Sequence, residues 1–307
     1  MSSKQPALQI QDLQYQYKSQ WTFSQSPGLR GFSLDVTEGE SFGFLGHNGA
    51  GKTTTIKCIL GLVRASSGAI KIFGIDSNKA ESRREVGYLP EQPYFYDHLT
   101  VQEIVEMYSE LVGVSGKTAS VLERLGLADK RSAPMRTLSK GLVQRVAMAQ
   151  AIVGDPRLLI LDEPFSGLDP IGRKEFVELI FDLKRSGTTI FMSSHILSDV
   201  EHLCDRASIL VRGELKAVFD LKNPPAELAG GSYNLELLSI SASLKAELLK
   251  HATSSREDGE LLRLGFKERE NAESALAYAV NNKIRINSFE FERNSLQDVF
   301  VKLTKNQ

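Results

Sequence analysis

Apolar and polar residues alternate from Ala7 to Tyr17, with Leu8, Ile10, Leu13, Tyr15 and Tyr17 on the apolar side, and this period predicts an opening strand. The polar stretch from Lys18 to Pro27, holding Trp21 and Phe23, reads as a loop, and Leu29 to Val36 as a second strand. Three further runs have strand character without alternation: Ser41–Leu45, Leu158–Leu161 and Thr188–Ser194. The last two read as buried strands, Leu158–Leu161 as one buried on both faces of a parallel sheet. Shorter strands are expected at Gly68–Gly74 and Glu85–Pro90, and a strand pair around a turn over Arg206–Leu215. Helical spacing marks Ile56–Leu60, Val101–Val112, Thr118–Leu125, Leu142–Val153 and Gly172–Lys184. Thr100, with Glu103 three residues on, forms a helix-start signature.

The character changes after Asn223-Pro224-Pro225 and Gly230-Gly231, which predicts a domain boundary. Beyond it the pattern reads strand (Tyr233–Leu238), helix (Ala242–Ala252), strand (Glu260–Phe266), helix (Glu268–Asn281), strand (Ile284–Phe291). A closing helix over Ser295–Leu303 would be capped by Asn294 or Ser295. The expectation is a small βαβαβα unit with no cluster of metal ligands or nucleophiles. The predicted domains are 1–222 and 223–307.

The glycines between Ser41–Leu45 and the helix after it carry the first chemistry. Gly46-His47-Asn48-Gly49-Ala50-Gly51-Lys52-Thr53-Thr54 joins Ser41–Leu45 to a helix start, the context that a phosphate-binding loop requires. Glycine lets the chain wrap with its N–H groups inward, and the helix N-terminus adds partial positive charge. Lys52 would reach the β- and γ-phosphates, Thr53 would ligate Mg²⁺ and Thr54 would bond the α-phosphate. The bland alternative is a glycine-rich turn. Asp162 and Glu163 end the run Leu158–Leu161, at the strand edge where α/β sheets bind ligands. Alone they would read as a capping pair. Beside a phosphate loop, Asp162 would hold Mg²⁺ and Glu163 would polarise an attacking water as general base. His195 ends the run Thr188–Ser194 at the same expected edge.

Composition narrows the setting. The 307 residues suffice for a full α/β domain plus a smaller one, and a formal net charge of −1 gives no nucleic-acid footprint. The two cysteines, Cys58 and Cys204, lie far apart without metal-ligand spacing, which fits a reducing cytosolic compartment, and Cys58 reads as core. The first residues lead into no signal-peptide core, and no stretch approaches about 20 apolar residues, so action at a membrane would need a partner.

In this order the motifs resemble the nucleotide-binding domain of the ABC-type ATPases: the phosphate loop Gly46–Thr53, a signature loop Leu138-Ser139-Lys140-Gly141-Leu142, the strand Leu158–Asp162 with Glu163, the loop Ser166-Gly167-Leu168-Asp169, and His195. The resemblance covers residues 7 to 220. It implies an α/β P-loop NTPase of ABC type, a mixed sheet core with a helical subdomain near 93–153, followed by the small C-terminal α+β domain. It also implies ATP and Mg²⁺ as cofactors, and two copies packed head to tail around two ATP. Ser139 and Gly141 would then face the γ-phosphate held by the other copy, Asp169 would sit across the interface, and His195 would contact the γ-phosphate and help position water.

Three positions depart from the family pattern. Lys140 and Leu142 stand where Gly and Gln are most frequent, with the contacting Ser139 and Gly141 kept. The glutamine loop aligns with Tyr88-Leu89-Pro90-Glu91-Gln92, so Glu91 or Gln92 would touch the metal or water. The adenine-stacking aromatic would be Tyr17, with Trp21 and Phe23 as rivals and Tyr15 as core. The run Pro93-Tyr94-Phe95-Tyr96-Asp97-His98 either anchors a cytoplasmic helix of a membrane subunit or packs the helical subdomain. The ending resembles accessory segments of some ABC exporter ATPases.

The expected protein is thus an ATPase subunit at the cytoplasmic face of a membrane, driving a separate polytopic subunit, more in the manner of an exporter than an importer. No nucleic-acid partner is expected. The rival is a soluble ABC-type ATPase that remodels a nucleic-acid or ribosome complex, for which paired ATPase halves or a long coiled-coil insertion are usual and absent from this sequence. A purely structural module conflicts with intact Lys52, Asp162, Glu163 and His195.

Overall fold

In a computed structural model of the chain, residues 6–18, 25–224, 231–238, 240, 242–293, 296 and 300 are described. The chain divides into two compact units, Met1–Lys222 and Asn223–Gln307. The first unit runs through β1 (Pro6–Lys18), β2 (Gln25–Arg30), β3 (Leu34–Thr37), β4 (Ser41–Leu45) and α1 (Lys52–Ile59), then β5 (Ser67–Ile72), β6 (Ile75–Asp76) and β7 (Val86–Leu89). Three helices follow, α2 (Val101–Leu111), α3 (Thr118–Arg124) and α4 (Lys140–Ile152). The unit then returns to the sheet with β8 (Leu158–Asp162), α5 (Pro170–Arg185), β9 (Thr189–Ser194), α6 (Leu197–Leu203), β10 (Arg206–Val211) and β11 (Glu214–Asp220).

The continuous apolar runs become β4, β8 and β9, buried at every position in the middle of a six-stranded sheet of order β11-β10-β4-β9-β8-β7. Five of its strands are parallel and β11 pairs antiparallel with β10. Phe42 stacks on Phe191 and Phe44 tilts against the same ring, so aromatic packing joins β4 to β9. The parallel direction has a functional consequence. Leu45, Leu89, Asp162 and Ser194 all end their strands at one edge, so the segments that follow them gather there.

A second sheet is antiparallel, with order β2-β1-β5-β6 and β3 also on β1. The alternation in β1 slips by one residue between Ile10 and Leu13. The structure accommodates this with a register shift and a left-handed Asp12 (φ 45°), which returns Leu13 to the core. The strand expected over Leu29–Val36 is two strands. Gly31 at φ 88° breaks it, because its amide bonds back to the Leu13 carbonyl. The loop expected over Lys18–Pro27 is shorter, since β2 already begins at Gln25, and residues 19–24 lie outside the described set. The helix α6 was also not foreseen.

The helical layer starts as the sequence indicated. Thr100 accepts from the Glu103 amide (3.2 Å) while Glu103 accepts from the Thr100 amide (2.8 Å), a reciprocal cap on α2. On α4, Ser139 is the N-cap.

The second unit is β12 (Gly231–Leu238), α7 (Ala242–Leu249), β13 (Ser254–Asp258), β14 (Leu261–Phe266), α8 (Arg269–Asn281) and β15 (Arg285–Arg293). Its antiparallel sheet has order β13-β14-β12-β15. Leu235, Leu237, Leu262, Leu264 and Phe266 form its core with Leu248 and the alanines of α8. Through β15 the order is βαββαβ, one strand more than the βαβαβ expected before the closing helix. The additional strand, Ser-Ser-Arg-Glu-Asp, is exposed at all five positions, so no apolar alternation marks it. Of the expected closing helix, Leu296 and Phe300 are helical; 294–295, 297–299 and 301–303 lie outside the described residues, as do 225–230 of the expected boundary.

Candidate nucleotide site

The site begins with a backbone that only glycine tolerates at three points. Gly49 (φ 80°) and Gly51 (φ 111°) are left-handed, and a Cβ on Gly46 would stand 2.8 Å from the Leu210 carbonyl. Gly51 is the N-cap of α1 and offers no side chain there, so the first amides of α1 face the loop without a capping group. The cavity over them, of about 350 Å³, is lined by Tyr17, His47, Asn48, Gly49, Gly51, Lys52, Thr53, Thr54, Lys57, Glu91 and Glu163. Ala50 is buried beneath, its carbonyl accepting from the Gly213 amide (2.8 Å).

Lys52 is buried, with Nζ donating to the Gly46 carbonyl (2.8 Å) and lying 3.1 Å from Glu163 Oε1. Glu163 adopts a left-handed backbone (φ 49°), uncommon for a non-glycine residue. Its amide is held at the end of β9, donating to the Ser193 carbonyl (3.2 Å) and Oγ (3.1 Å). That turn sends its carboxylate between two partners. Oε1 meets Lys52, and Oε2 lies 2.8 Å from His195 Nδ1 and 3.4 Å from the His195 amide. A carboxylate that could act as a general base and an imidazole that could orient it are therefore already in contact.

Asp162 lies opposite Ser193 in the β8–β9 register, and Ser193 Oγ donates to its Oδ1 at 2.5 Å. Burial pushes its carboxyl above the usual carboxylate range, opposed by hydrogen bonds from Ser193 and Thr53 and by the Lys52 charge. Its other oxygen, Oδ2, is buried without a hydrogen-bond partner. An orphaned carboxylate oxygen beside a threonine hydroxyl fits a hard divalent cation, which takes oxygen ligands of this kind. Ser193 is a site residue that sequence reasoning missed. A serine pair ending a buried strand was the available signal, but its partner is visible only from the register.

Of Glu91 and Gln92, both exposed, Glu91 lines this cavity and Gln92 does not. Burial, with the charges of Asp162 and Glu91, pushes the Tyr88 phenol up to about 12, so both carboxylates act on one ring at the end of β7. Tyr17 is half exposed on the cavity, its hydroxyl bonded to Thr54 and its ring edge-on to Tyr15 at 5.1 Å. Trp21 and Phe23 lie outside the described residues.

Ser139, Gly141 and Asp169 gather elsewhere. With Lys140, Leu142 and Leu168 they line an open cavity of about 570 Å³ that shares no lining residue with the first. Ser139 accepts from the Leu142 amide at 3.4 Å, a long bond, and Asp169 caps α5 by accepting from the Gly172 amide at 2.7 Å. A single chain thus does not bring these residues to its own phosphate loop. Within the run after Glu91, Phe95 is buried, while Tyr94 and Tyr96 are 88% and 61% exposed beside a cleft that Ile104, Met107 and Tyr108 also line. Among the described residues no helix is long and apolar enough to cross a membrane.

The ABC transporter family profile matches residues 29–166. An uncharacterized ABC transporter ATP-binding protein of Synechocystis is 38% identical over 289 residues, covering 92% of this chain and 80% of the relative. The bacitracin transport ATP-binding protein of Bacillus licheniformis is 45% identical over 188 residues, which are 60% of this chain and 61% of that relative. Among solved structures, a dimeric ATP-binding cassette in a post-hydrolysis state, bound to ADP and Pi, has the same fold. Its TM-score is 0.65, at 23% identity, over 70% of this chain and 99% of that one.

Proposed function

This chain belongs to the ABC transporter ATP-binding proteins, and from that premise we propose that it hydrolyses ATP in a head-to-tail dimer and drives a separate membrane-spanning subunit in export. The observation that carries the dimer is the separation of the two cavities. Lys52, Thr53, Asp162 and Glu163 stand on one side, and Ser139, Gly141 and Asp169 line another that shares none of them. A second copy, turned end for end, supplies the missing half of each site. The N-terminus of α4 and the Ser139 hydroxyl then face the γ-phosphate as donors.

In this reading the inward amides of the phosphate loop and Lys52 bind the β- and γ-phosphates. Thr53 and Asp162, joined by Glu91, would hold Mg²⁺, which would supply neutralisation of phosphate charge. Glu163 releases Lys52 to the phosphates and accepts a proton from the attacking water. His195 holds the Glu163 carboxylate and contacts the γ-phosphate. Tyr17 stacks on adenine. Tyr94 and Tyr96 anchor the membrane subunit at the cytoplasmic face, a contact that their exposure supports. The bacitracin relative supports transport of a compound of that kind, and direction rests on likeness of the C-terminal unit to exporter accessory segments.

The test is ATP-driven dimerisation. Glu163→Gln with Mg-ATP should migrate as a dimer in size-exclusion chromatography with light scattering, and Ser139→Arg in the same background should remain monomeric. A Glu163→Gln protein that stays monomeric at saturating ATP would refute the composite site. Co-purification with a polytopic membrane protein after gentle detergent extraction tests the transporter reading, and recovery with ribosomes or nucleic acid would overturn it.

A further inference from the structure

Three segments leave the sheet edge at the site: the turn after Glu163, the loop that Asp169 closes, and the turn through His195. One cluster touches all three. Arg173 lies in the first turn of α5, its amide donating to the Asp169 carbonyl (2.9 Å). Its guanidinium pairs with Asp199, which sits in the first turn of α6, four residues beyond His195. The same guanidinium lies 5.5 Å from the centre of the Phe165 ring, two residues beyond Glu163. Phe165 and Asp199 are buried, and Asp199 Oδ2 has no hydrogen-bond partner among the described residues. The pair therefore rests on one charge-assisted contact between a partly exposed guanidinium and a buried carboxylate.

Neighbouring contacts leave little slack. Val200, next to Asp199, presses on β4 so closely that a Cβ on Gly43 would lie 2.2 Å from its Cγ1. The Ser194 hydroxyl accepts from the Ile196 amide (2.9 Å) and fixes the turn through His195. From the other side, the Ser166 amide donates to the Glu163 carbonyl (3.1 Å). Buried Gln144 of α4 donates to the Pro164 carbonyl (3.1 Å), so the helix capped by Ser139 also grips this turn. A displacement of Asp169 along α5 reaches Asp199 through one ion pair, and His195 through four further residues of chain.

We infer that Arg173 and Asp199, roofed by Phe165, are positioning residues that hold His195 on Glu163 and make that hold depend on the placement of the Asp169 loop. Neither touches the nucleotide. The inference rests on the dimer reading only for what moves Asp169; the hold on His195 is a property of the single chain. A second copy engaging the Asp169 loop would thereby set the geometry of the His195–Glu163 contact in the copy it engages.

The test uses the full chain and two readouts. In the nucleotide-free protein, the His195 side-chain ¹⁵N resonance, assigned by its loss in His195→Ala, reports the contact with Glu163 directly. Asp199→Asn, which keeps shape and removes charge, should shift or broaden that resonance. It should also lower kcat about tenfold with the KM for ATP unchanged within about twofold, since misplacing a group held by others acts on turnover rather than on binding. Arg173→Lys, which retains the charge, should recover kcat to within about threefold, and Arg173→Met should not. If Asp199→Asn does not fold, the Arg173→Met and Arg173→Lys pair decides alone. An unchanged His195 resonance, or a loss of kcat that follows the melting temperature equally in Lys and Met variants, would overturn the inference. A monomeric Glu163→Gln would refute the dimer reading instead, and the His195 resonance would still decide the hold on His195.

Discussion

Lys52 is occupied before any nucleotide arrives, and Glu163→Gln should therefore bind ATP more tightly as well as stop turnover. The ammonium and carboxylate stand 3.1 Å apart with side-chain exposures of 6% and 10%, so solvent screens the pair little. A γ-phosphate on Lys52 must displace Glu163 Oε1. The amide of glutamine still accepts a hydrogen bond from the Lys52 ammonium, but it no longer offers an opposite charge. Replacing a charged acceptor by a neutral one takes a hydrogen bond from about 1.5–3 to about 0.5–1.5 kcal/mol, a difference of about 1–1.5 kcal/mol that the ligand no longer has to overcome. That corresponds to a Kd for ATP about five- to twelvefold lower. Dimerisation would also raise apparent affinity, so the comparison belongs in the Ser139→Arg background, where each chain binds alone. Isothermal titration with Mg-ATP gives the Kd of Ser139→Arg with and without Glu163→Gln. Equal or weaker binding by the double variant would refute the idea that Glu163 competes with phosphate for Lys52.

Ser193→Ala removes the hydroxyl that holds Asp162 Oδ1 at 2.5 Å. The Mg²⁺ concentration for half-maximal turnover should rise about tenfold, as for loss of a group that orients a metal ligand, and a magnesium titration of ATPase rate checks it. In β7, a Cβ on Gly87 would lie 2.1 Å from the Ala151 carbonyl of α4, where backbone cannot yield. Gly87→Ala should destabilise by about 1–3 kcal/mol and lower the melting temperature of the first unit by roughly 2–10 °C in calorimetry. Asp205 is held below the usual carboxylate range. Burial pushes it up, but Lys184 (2.7 Å), Lys222 (2.8 Å) and the Ser41 amide (3.0 Å) together outweigh that. Its contribution is thus present above the unfolded carboxylate value of about 3.9 and lost as pH falls through the lower folded one. Urea unfolding of wild type and Asp205→Asn should differ most near pH 7 and converge at the acid end, whereas a constant difference would contradict the assignment.

The central strands were legible because β4, β8 and β9 are buried on both faces, which leaves only apolar or small residues along them. The phosphate loop was legible because left-handed Gly49 and Gly51 write their backbone requirement into the sequence. Thr100 and Glu103 announced α2 because each side chain meets the other's amide locally. Features that depend on pairing between distant strands were not legible. Ser193 acquires its role only when β9 is placed beside β8 with Asp162 opposite it. Strand β13 is held by backbone bonds to β14, with every side chain in solvent, so its residues carry no periodic signal. Tyr94, Phe95 and Tyr96 form one apolar run in the sequence, yet the fold buries only the middle ring.

The contacts around the nucleotide cavity share one property. Lys52 bonds to Gly46 and Glu163, Tyr17 to Thr54, Glu163 to His195, and Ser139 to its own helix. Each of these polar groups is satisfied internally, so ATP exchanges contacts rather than adding them, and the net affinity is smaller than the number of contacts suggests. Two buried oxygens at this site have no hydrogen-bond partner: Glu163 Oε1, which has the Lys52 ion pair at 3.1 Å, and Asp162 Oδ2. For Asp162 Oδ2 the burial cost is already present in the ligand-free fold and is relieved only by a cation or a proton. The two reliefs compete, because burial raises the Asp162 carboxyl toward protonation while a divalent cation requires the ionised form. Metal and nucleotide should therefore bind together more strongly than either alone. The metal relieves Asp162 and neutralises the phosphates, and the phosphates in turn draw Lys52 away from Glu163, freeing the carboxylate that must act as base.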